Sequence, residues 1–206
     1  MSKLTLTTGA EFDIEGIADF VEEVIERAGF KSIAVPGGST PFPIFDALAS
    51  RNLDWAGTTI YLTDDREVPP EHPASNYGRL LAALGKTGAT IVRLEEGMEA
   101  PDFDLVWLGM GADGHIASLF PNTDPKLEAA PCVLQFTPDP LPPEAPFDRL
   151  SWTLPALLKT TAILLTIKGA DKHRVLYDAL AGHHDLPITR LLNAATCPVR
   201  IFGSDA

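Results

Sequence analysis

The stretch FDLVWLGMGADGHIASLF, residues 103–120, decides the expected fold. Its first part, residues 103–108, is an almost continuous apolar run, which is typical of a buried strand in a parallel sheet. Glycines follow, and the apolar residues after His115 predict a short helix that ends at Pro121. Ligands bind open α/β sheets at the carboxyl ends of strands. His115 beside Asp113 at this place is therefore a candidate for acid–base chemistry.

The same glycines also match G-x-G-x-x-G, the fingerprint of dinucleotide-binding folds. That fingerprint requires an acidic residue at the end of a second strand about 20 residues further on. The corresponding region here is PNTDPKLEAAPCV, in which Pro121, Pro125 and Pro131 interrupt any strand. A dinucleotide cofactor is therefore not predicted. A plain tight turn around a buried, hydrogen-bonded histidine stays open as the other alternative.

The composition favours one globular domain, which we expect to span residues 1–206, since 45% of the residues are apolar. No apolar run approaches the roughly 18 residues of a membrane span, and no signal peptide is evident. The net charge of −12, from 16 basic and 28 acidic side chains, argues against a nucleic-acid surface. Cys132 and Cys197 match no metal or redox spacing, which favours a reducing cytoplasm.

Strand and helix patterns alternate along the chain. This predicts an α/β fold with a single doubly wound, mostly parallel, Rossmann-like sheet and helices on both faces. The predicted strands are residues 4–8, 32–35, 59–62, 90–93, 103–108, 149–153, 162–167 and 199–202. The predicted helices are residues 13–29, capped by Asp13 and ended by Gly29, then 40–49, 75–84, 116–120, 155–159, 170–180 and 188–193. Residues 63–70 are expected to form a charged loop, and residues 121–148 a long surface excursion.

The segment Gly37-Gly38-Ser39-Thr40 lies between a predicted strand and a predicted helix. Free backbone N–H groups and small hydroxyls at a helix start bind phosphate well. It is not a Walker loop, because the G-K-[ST] ending is absent. Ordinary capping of the helix by Thr40, with Pro41 at its first position, is the alternative.

Two basic residues lie at other predicted strand ends. Arg66 either pairs with its neighbours Asp64 and Asp65 or grips an oxyanion, bidentately if that is phosphate. Lys172 follows a strand and Gly169, so it either reaches the same crevice or is a solvated helix lysine. No set of side chains with metal-ligand spacing is evident.

Five blocks in order identify a family resemblance. They are PGGSTP (36–41), DDREVPPEHPASNYGRL (64–80), FDLVWLGMGADGHIASLFP (103–121), RLSWTLPALL (149–158) and GADKHRVL (169–176). Together they resemble the 6-phosphogluconolactonases of the pentose phosphate pathway over nearly the whole chain. The resemblance implies hydrolysis of 6-phospho-D-glucono-1,5-lactone to 6-phosphogluconate without metal or cofactor. We also expect a cytoplasmic monomer without nucleic-acid or membrane partners.

The resemblance also implies roles for individual residues. The catalytic histidine falls on His115, with Asp113 beside it. The residues expected to bind substrate are Gly37, Gly38, Ser39, Thr40, Asp64, Arg66, Asn76, Gly111, Arg149 and Lys172, of which Ser39, Thr40, Arg66, Arg149 and Lys172 hold the phosphate. A histidine can take a proton from water and hand it to the leaving ring oxygen. Asp113 either orients that imidazole or contacts the sugar hydroxyls or the water. Which glycine turn supplies the oxyanion donors stays open.

The sequence departs from the family pattern at two places, and two alternative functions stay open. Asp64-Asp65-Arg66 stands where an acid–Glu–Arg triplet is common in the family, and Glu144-Ala145 stands where many members carry a Lys–Pro pair. Glucosamine-6-phosphate deaminases share the D-G-H turn, but there a phenylalanine, an asparagine and a glutamate follow, whereas Ala117-Ser118-Leu119-Phe120-Pro121 follows here, which favours the lactonase. A non-catalytic sugar-phosphate sensor would carry a DNA-binding helix pair, for which the chain shows no room and the wrong charge.

Overall fold

A parallel sheet forms the centre of the computed structural model, which describes residues 6–27, 29–123, 128–143 and 145–204. Within these residues the sheet has seven strands, in the order β1-β10-β9-β6-β2-β3-β5. Its strands are β1 (Leu6–Glu11), β2 (Lys31–Val35), β3 (Thr58–Leu62), β5 (Thr90–Val92), β6 (Leu105–Leu108), β9 (Ile163–Lys168) and β10 (Val199–Ser204). A second, antiparallel sheet joins β4 (Asp64–Arg66), β8 (Arg149–Trp152) and β7 (Val133–Phe136).

The central strand, β6, is apolar because helices cover both faces of the sheet. All four residues of β6 are buried, and Trp107 packs edge-on against Phe45 with ring centroids 5.4 Å apart. The indole N–H of Trp107 donates to the Thr166 hydroxyl at 2.9 Å, so these two buried polar groups satisfy each other. Chain order reverses between β6 and β2, which makes this the switch point of a doubly wound sheet. The predicted fold class is confirmed.

Six helices complete the described part of the chain: α1 (Ile14–Ile25), α2 (Phe42–Ser50), α3 (Asn76–Leu84), α4 (Leu154–Leu158), α5 (Ala170–Leu180) and α6 (Pro187–Ala194). The predicted cap holds at Asp13, which accepts from the Gly16 N–H, and Ser75, the expected first residue of a helix, caps α3 by accepting from the Gly78 N–H. No described helix is both long and apolar enough to span a membrane.

Two predicted helix ends are wrong. Helix α1 ends at Ile25 with Glu26 as its cap, so Gly29 lies beyond it. Helix α2 takes Pro41 as its cap without a side-chain hydrogen bond, so Thr40 does not cap it. Glycine is common at helix ends and threonine at helix starts, but neither preference fixes the exact residue. The last turn of a helix frays, and the ring of Pro41 already presets the helical φ.

The predicted helix after His115 is also wrong. Residues 116–119 form a tight turn in which the Leu119 N–H donates to the Ile116 carbonyl at 2.9 Å. Ala117 has a φ of 48°, a left-handed conformation that no right-handed helix contains. Over so few residues, the spacing of apolar side chains fits a turn as well as a helix. The nearest helical turn, Pro121–Thr123, begins at the proline that was expected to end the predicted helix.

The second sheet was not predicted. Strand β4 lies inside the expected charged loop, and β7 lies inside the expected surface excursion, where Val133 is fully buried. Both strands are short, and their pairing with β8 is a tertiary contact that local sequence does not announce. The first predicted strand runs through residues 6–11 rather than 4–8, and its first two expected residues lie outside the described part.

Candidate active site

Loops at the carboxyl ends of β2, β3, β6 and β9 surround one cleft of about 270 Å³ at the switch point of the sheet. We call residues 36–41 the glycine loop and residues 109–120 the histidine loop. The lining residues are Pro36, Gly37, Gly38, Ser39, Thr40, Pro41, Thr63, Asp64, Arg66, Asn76, Gly109, Met110, Gly111, His115, Ala117, Thr166, Lys168 and Lys172. Ten of the twelve predicted site residues are therefore together; Asp113 and Arg149 do not line the cleft.

His115 and Asp113 form a hydrogen-bonded pair. Nδ1 of the imidazole lies 2.6 Å from Oδ1 of Asp113, which also accepts from the His115 backbone N–H at 3.2 Å. Burial acts to raise the pKa of Asp113, but the hydrogen bond and charge of His115 outweigh it and lower that pKa. An ionised carboxylate only accepts, so the proton sits on Nδ1 and the Nε2 lone pair is left for chemistry. The contact with Nδ1 places the Asp113 carboxylate where it can orient the imidazole.

The histidine loop confines that imidazole. The Gly111 N–H donates to the His115 carbonyl at 2.9 Å, and a methyl group at Gly111 would overlap Nδ1 of His115. On another side the ring of Phe120 lies 4.6 Å from the imidazole, centroid to centroid. Gly114, with a φ of 80°, faces Leu186 so closely that no side chain fits there. The ring therefore has little freedom to leave its place above Gly111.

The glycine loop presents backbone rather than side chains. The N–H groups of Gly38, Ser39 and Thr40 have no hydrogen-bond partner among the described residues, and a Cβ at Gly38 would meet open space. Gly37 is the opposite case, because a Cβ there would collide with the side chain of Asn76. The guanidinium of Arg79 reaches the Gly37 carbonyl at 3.4 Å. The loop is thus fixed at its base and open at its tip, an arrangement suited to an anion.

Arg66 is held at the edge of the cleft without an ion pair to its neighbours. Its Nη1 donates to the Ala74 carbonyl at 3.0 Å and to Oδ1 of Asn76 at 3.1 Å. Asp65 is occupied elsewhere, accepting from the backbone N–H groups of Arg66, Asn76 and Tyr77 at 2.8, 2.7 and 3.0 Å. Burial raises the pKa of Asp65, and the charge of Asp64 adds to that, although the three N–H groups act in the opposite direction. Within the described residues the guanidinium of Arg66 therefore remains available to an oxyanion.

The opposite side of the cleft carries two lysines. Lys172, on the first turn of α5, lines it as predicted, and its ammonium has no partner in the described ranges. Lys168, the last residue of β9, was missed. Strand alternation would have found it, because Thr166 and Lys168 face the same side and Thr166 already borders the crevice. Arg66 and Lys172 thus border the cleft from different sides, in a chain of net charge −12, while the ammonium of Lys168 lies 5.8 Å from the centroid of the Phe12 ring.

Arg149 is the predicted phosphate ligand that the structure keeps away from the cleft. It pairs with Arg66 across β4 and β8, and its head donates to the carbonyls of Ala145 and Phe147. Burial lowers the pKa of Arg149, and the nearby charge of Arg66 lowers it further. Arg149 therefore braces the loop before β8. Glu144, which stands in place of the family lysine, lies outside the described residues.

No group of three or more His, Cys, Asp or Glu side chains within the described ranges comes together as potential metal ligands. The cysteines are likewise separate and free, Cys132 partly exposed and Cys197 buried.

Comparison with known proteins gives one consistent result. The family model described as glucosamine-6-phosphate isomerases/6-phosphogluconolactonase matches residues 10–98 and 86–198. A 6-phosphogluconolactonase of Pseudomonas putida is 37% identical over 201 residues, covering 86% of this chain and 82% of that protein. One from Neisseria meningitidis is 32% identical, covering 93% and 92%. The crystal structure of a 6-phosphogluconolactonase from Shewanella baltica superposes with a TM-score of 0.78 at 26% identity, covering 98% of both chains.

Proposed function

The chain belongs to the family of glucosamine-6-phosphate isomerases and 6-phosphogluconolactonases, and we propose that its cleft hydrolyses 6-phospho-D-glucono-1,5-lactone with His115 as general base. Lactone hydrolysis, the step of the pentose phosphate pathway that yields 6-phosphogluconate, is supported by relatives named for it that match most of the chain. The observation that carries the role of His115 is its 2.6 Å hydrogen bond to Asp113 at the wall of a cleft flanked by cations.

The reaction needs a base first and an acid afterwards. A water molecule attacks C1 of the lactone while Nε2 of His115 takes one of its protons. The tetrahedral oxyanion at C1 then collapses, the bond between C1 and the ring oxygen breaks, and the imidazolium returns the proton to that oxygen. The products are a free hydroxyl and a carboxylic acid, which ionises at neutral pH.

Asp113 supports both halves of that cycle. Its carboxylate holds the proton on Nδ1, so that Nε2 is the basic nitrogen, and it stabilises the imidazolium that exists between the two transfers. The lowered pKa of Asp113 favours the charged carboxylate at neutral pH. The oxyanion takes its donors from backbone N–H groups of the loops that line the cleft, which need no reorganisation as charge develops.

The phosphate of the substrate accounts for the rest of the site. Arg66 on one side, Lys172 on the other, and the free N–H groups of the glycine loop supply cations and donors for a dianion. Binding energy gained at this remote group orients C1 against His115. Arg149 supports the site indirectly, because its hydrogen bond to the Ala145 carbonyl holds the backbone that precedes β8.

We further propose that the protein works as a cytoplasmic, single-domain monomer without metal, cofactor, nucleic-acid or membrane partner. One continuous cluster of buried apolar residues includes residues of both sheets, which supports a single domain. Its charge of −12 disfavours nucleic acid, and its two free cysteines suit a reducing compartment.

The decisive experiment is hydrolysis of freshly made 6-phosphogluconolactone, measured against its spontaneous rate, with unphosphorylated gluconolactone in parallel. We expect strong acceleration for the phosphorylated lactone, weak acceleration for the other, and the same rates after dialysis against EDTA. Ammonia release from glucosamine 6-phosphate would identify a deaminase instead. Tight binding of 6-phosphogluconate without any turnover would identify a sensor. A rate that vanished with EDTA and returned with added metal would replace His115 as base by metal-activated water.

A further inference from the structure

We propose that Ser118 is a positioning residue of this site, whose buried hydroxyl fixes the Asp64 carboxylate and so sets the distance between Asp64 and His115. This inference rests on the proposed lactone hydrolysis. It concerns a residue that does not itself line the cleft. It explains both a short hydrogen bond and a strained backbone that the reaction scheme leaves without a role.

The contacts of Ser118 point in two directions. Its hydroxyl donates to Oδ2 of Asp64 at 2.5 Å, and its backbone N–H donates to the hydroxyl of Ser151 at 3.2 Å. Ser151 donates in turn to the Trp152 carbonyl at 3.1 Å. Ser118 is 1% exposed, so its hydrogen bonds have no competition from water. The histidine loop is thereby bonded to β4 through the Ser118 side chain and to β8 through its backbone.

The backbone beside Ser118 is strained in a way that serves this contact. Ala117 is the one non-glycine residue with a positive φ among the described ranges. A left-handed conformation is unfavourable for alanine and persists only where the surroundings impose it. Here the turn of residues 116–119 leaves Ala117 in the wall of the cleft and sends Ser118 into the interior toward Asp64. A helix at this place, as the sequence suggested, would not form that turn.

Asp64 is the functional end of the contact. Its carboxylate lines the cleft, with Oδ1 taking a weak hydrogen bond from the Thr63 hydroxyl at 3.3 Å and Oδ2 taking the strong one from Ser118. A carboxylate fixed in this wall is an acceptor for hydroxyl groups of the sugar acid. Because Ser118 follows His115 by a short, rigid turn, the bond holds that acceptor in register with the base. Without it, Asp64 is free to turn into other rotamers and the lactone loses one of its guides.

The test is a double-mutant cycle on kcat/KM for the phosphorylated lactone. Ser118→Ala and Asp64→Ala should each lower kcat/KM by about 10- to 100-fold. If Ser118 acts through Asp64, adding Ser118→Ala to Asp64→Ala, which leaves the Ser118 hydroxyl no side-chain oxygen to bond, should change kcat/KM by less than about 2-fold. Ser118→Thr keeps the hydroxyl and should stay within about 5-fold of the wild type, while Ser118→Cys, which keeps the volume, should resemble Ser118→Ala and serves if alanine impairs folding.

A matched control separates positioning from stability. Thr153 is also buried, and its hydroxyl ties the end of β8 to the Ala130 carbonyl at 2.7 Å, away from the cleft. Thr153→Val should lower the melting temperature without lowering kcat/KM. Losses that add in the Ser118/Asp64 cycle, or a fully active Ser118→Ala, would overturn the inference while leaving lactone hydrolysis intact. Absence of turnover in the wild type would overturn the proposed function and this inference with it.

Discussion

The glycine loop and the histidine loop leave neighbouring strands at the same edge of the sheet, and both are rich in glycine, yet they are built differently. The glycine loop runs into helix α2 and exposes unpaired N–H groups. The histidine loop turns back on itself. Within it His115 is hydrogen-bonded to Asp113, and Ser118 is hydrogen-bonded to Asp64 outside it. A helix start attracts an anion through backbone that needs little further fixing, whereas a general base works only if its neighbours hold it.

The largest expected effect tests that division directly. His115→Ala removes the base and should lower kcat by about 10²- to 10⁴-fold, with the fold and the affinity for 6-phosphogluconate retained. Stopped-flow hydrolysis gives the rate, and calorimetry with 6-phosphogluconate gives the affinity. Near-normal turnover in a folded His115→Ala protein would mean that the base lies elsewhere. A large loss of affinity would mean that the two loops do not divide the work.

Gly111→Ala sharpens the comparison, because it leaves all reacting groups in place. The added methyl group would overlap Nδ1 of His115, so the imidazole must shift away from Asp113. A displacement of that kind should lower kcat by about 10²-fold. Gly38→Ala, where a Cβ meets no protein atom, should express its effect in KM, because a ligand and not the protein occupies that space. Equal kcat losses in both variants would show that the glycine loop also positions the base.

The phosphate side of the comparison is tested with Arg66→Ala. Loss of a charge-assisted hydrogen bond of about 1.5–3 kcal/mol should weaken 6-phosphogluconate binding by roughly 10- to 150-fold, with a smaller change in kcat. Arg174 on α5 is the matched control, since it is exposed and bonded to Asp171 at 2.9 Å. Arg174→Ala should leave the affinity unchanged. An unchanged affinity in Arg66→Ala would mean that Arg66 does not bind phosphate and only forms hydrogen bonds to Ala74 and Asn76 within the protein.

The two loops also show what the sequence could predict. Apolar strands and capped helices were predicted correctly because their signals are local: β6 is four buried residues, and Ser75 and Gly85 bound α3. The turn at Ala117 was not, because apolar spacing over five residues fits a helix as well as a turn. Residue types at strand ends placed His115, Arg66 and Lys172 in one cleft. They do not fix where a side chain points.

Arg149 and Lys168 mark that limit. Both are basic residues at a strand end, yet Arg149 turns to the carbonyls of Ala145 and Phe147 and Lys168 borders the cleft. The difference arises from register and sheet membership, since Arg149 pairs with Arg66 in a second sheet that was itself not predicted. For Asp113, by contrast, no long-range pairing is needed. It lies two residues from His115, and in a turn this separation is enough for a 2.6 Å hydrogen bond.

The smallest expected effect concerns stability alone. Ala117→Gly relieves a left-handed alanine, which costs about 1–2 kcal/mol, but adds unfolded-state entropy of about 0.4–1 kcal/mol. The protein should therefore gain roughly 0.5–1 kcal/mol, a rise of about 1–4 °C in melting temperature, measured by calorimetry. Activity should change little, because the bonds of Ser118 and Asp113, and not the methyl group of Ala117, hold the histidine loop. A lower melting temperature would show that packing of the Ala117 methyl group contributes more stability than the strained backbone costs. A large loss of activity would show that the stiffness of an alanine at this position holds the base, and the two loops would then differ in backbone rigidity rather than in side-chain bonding.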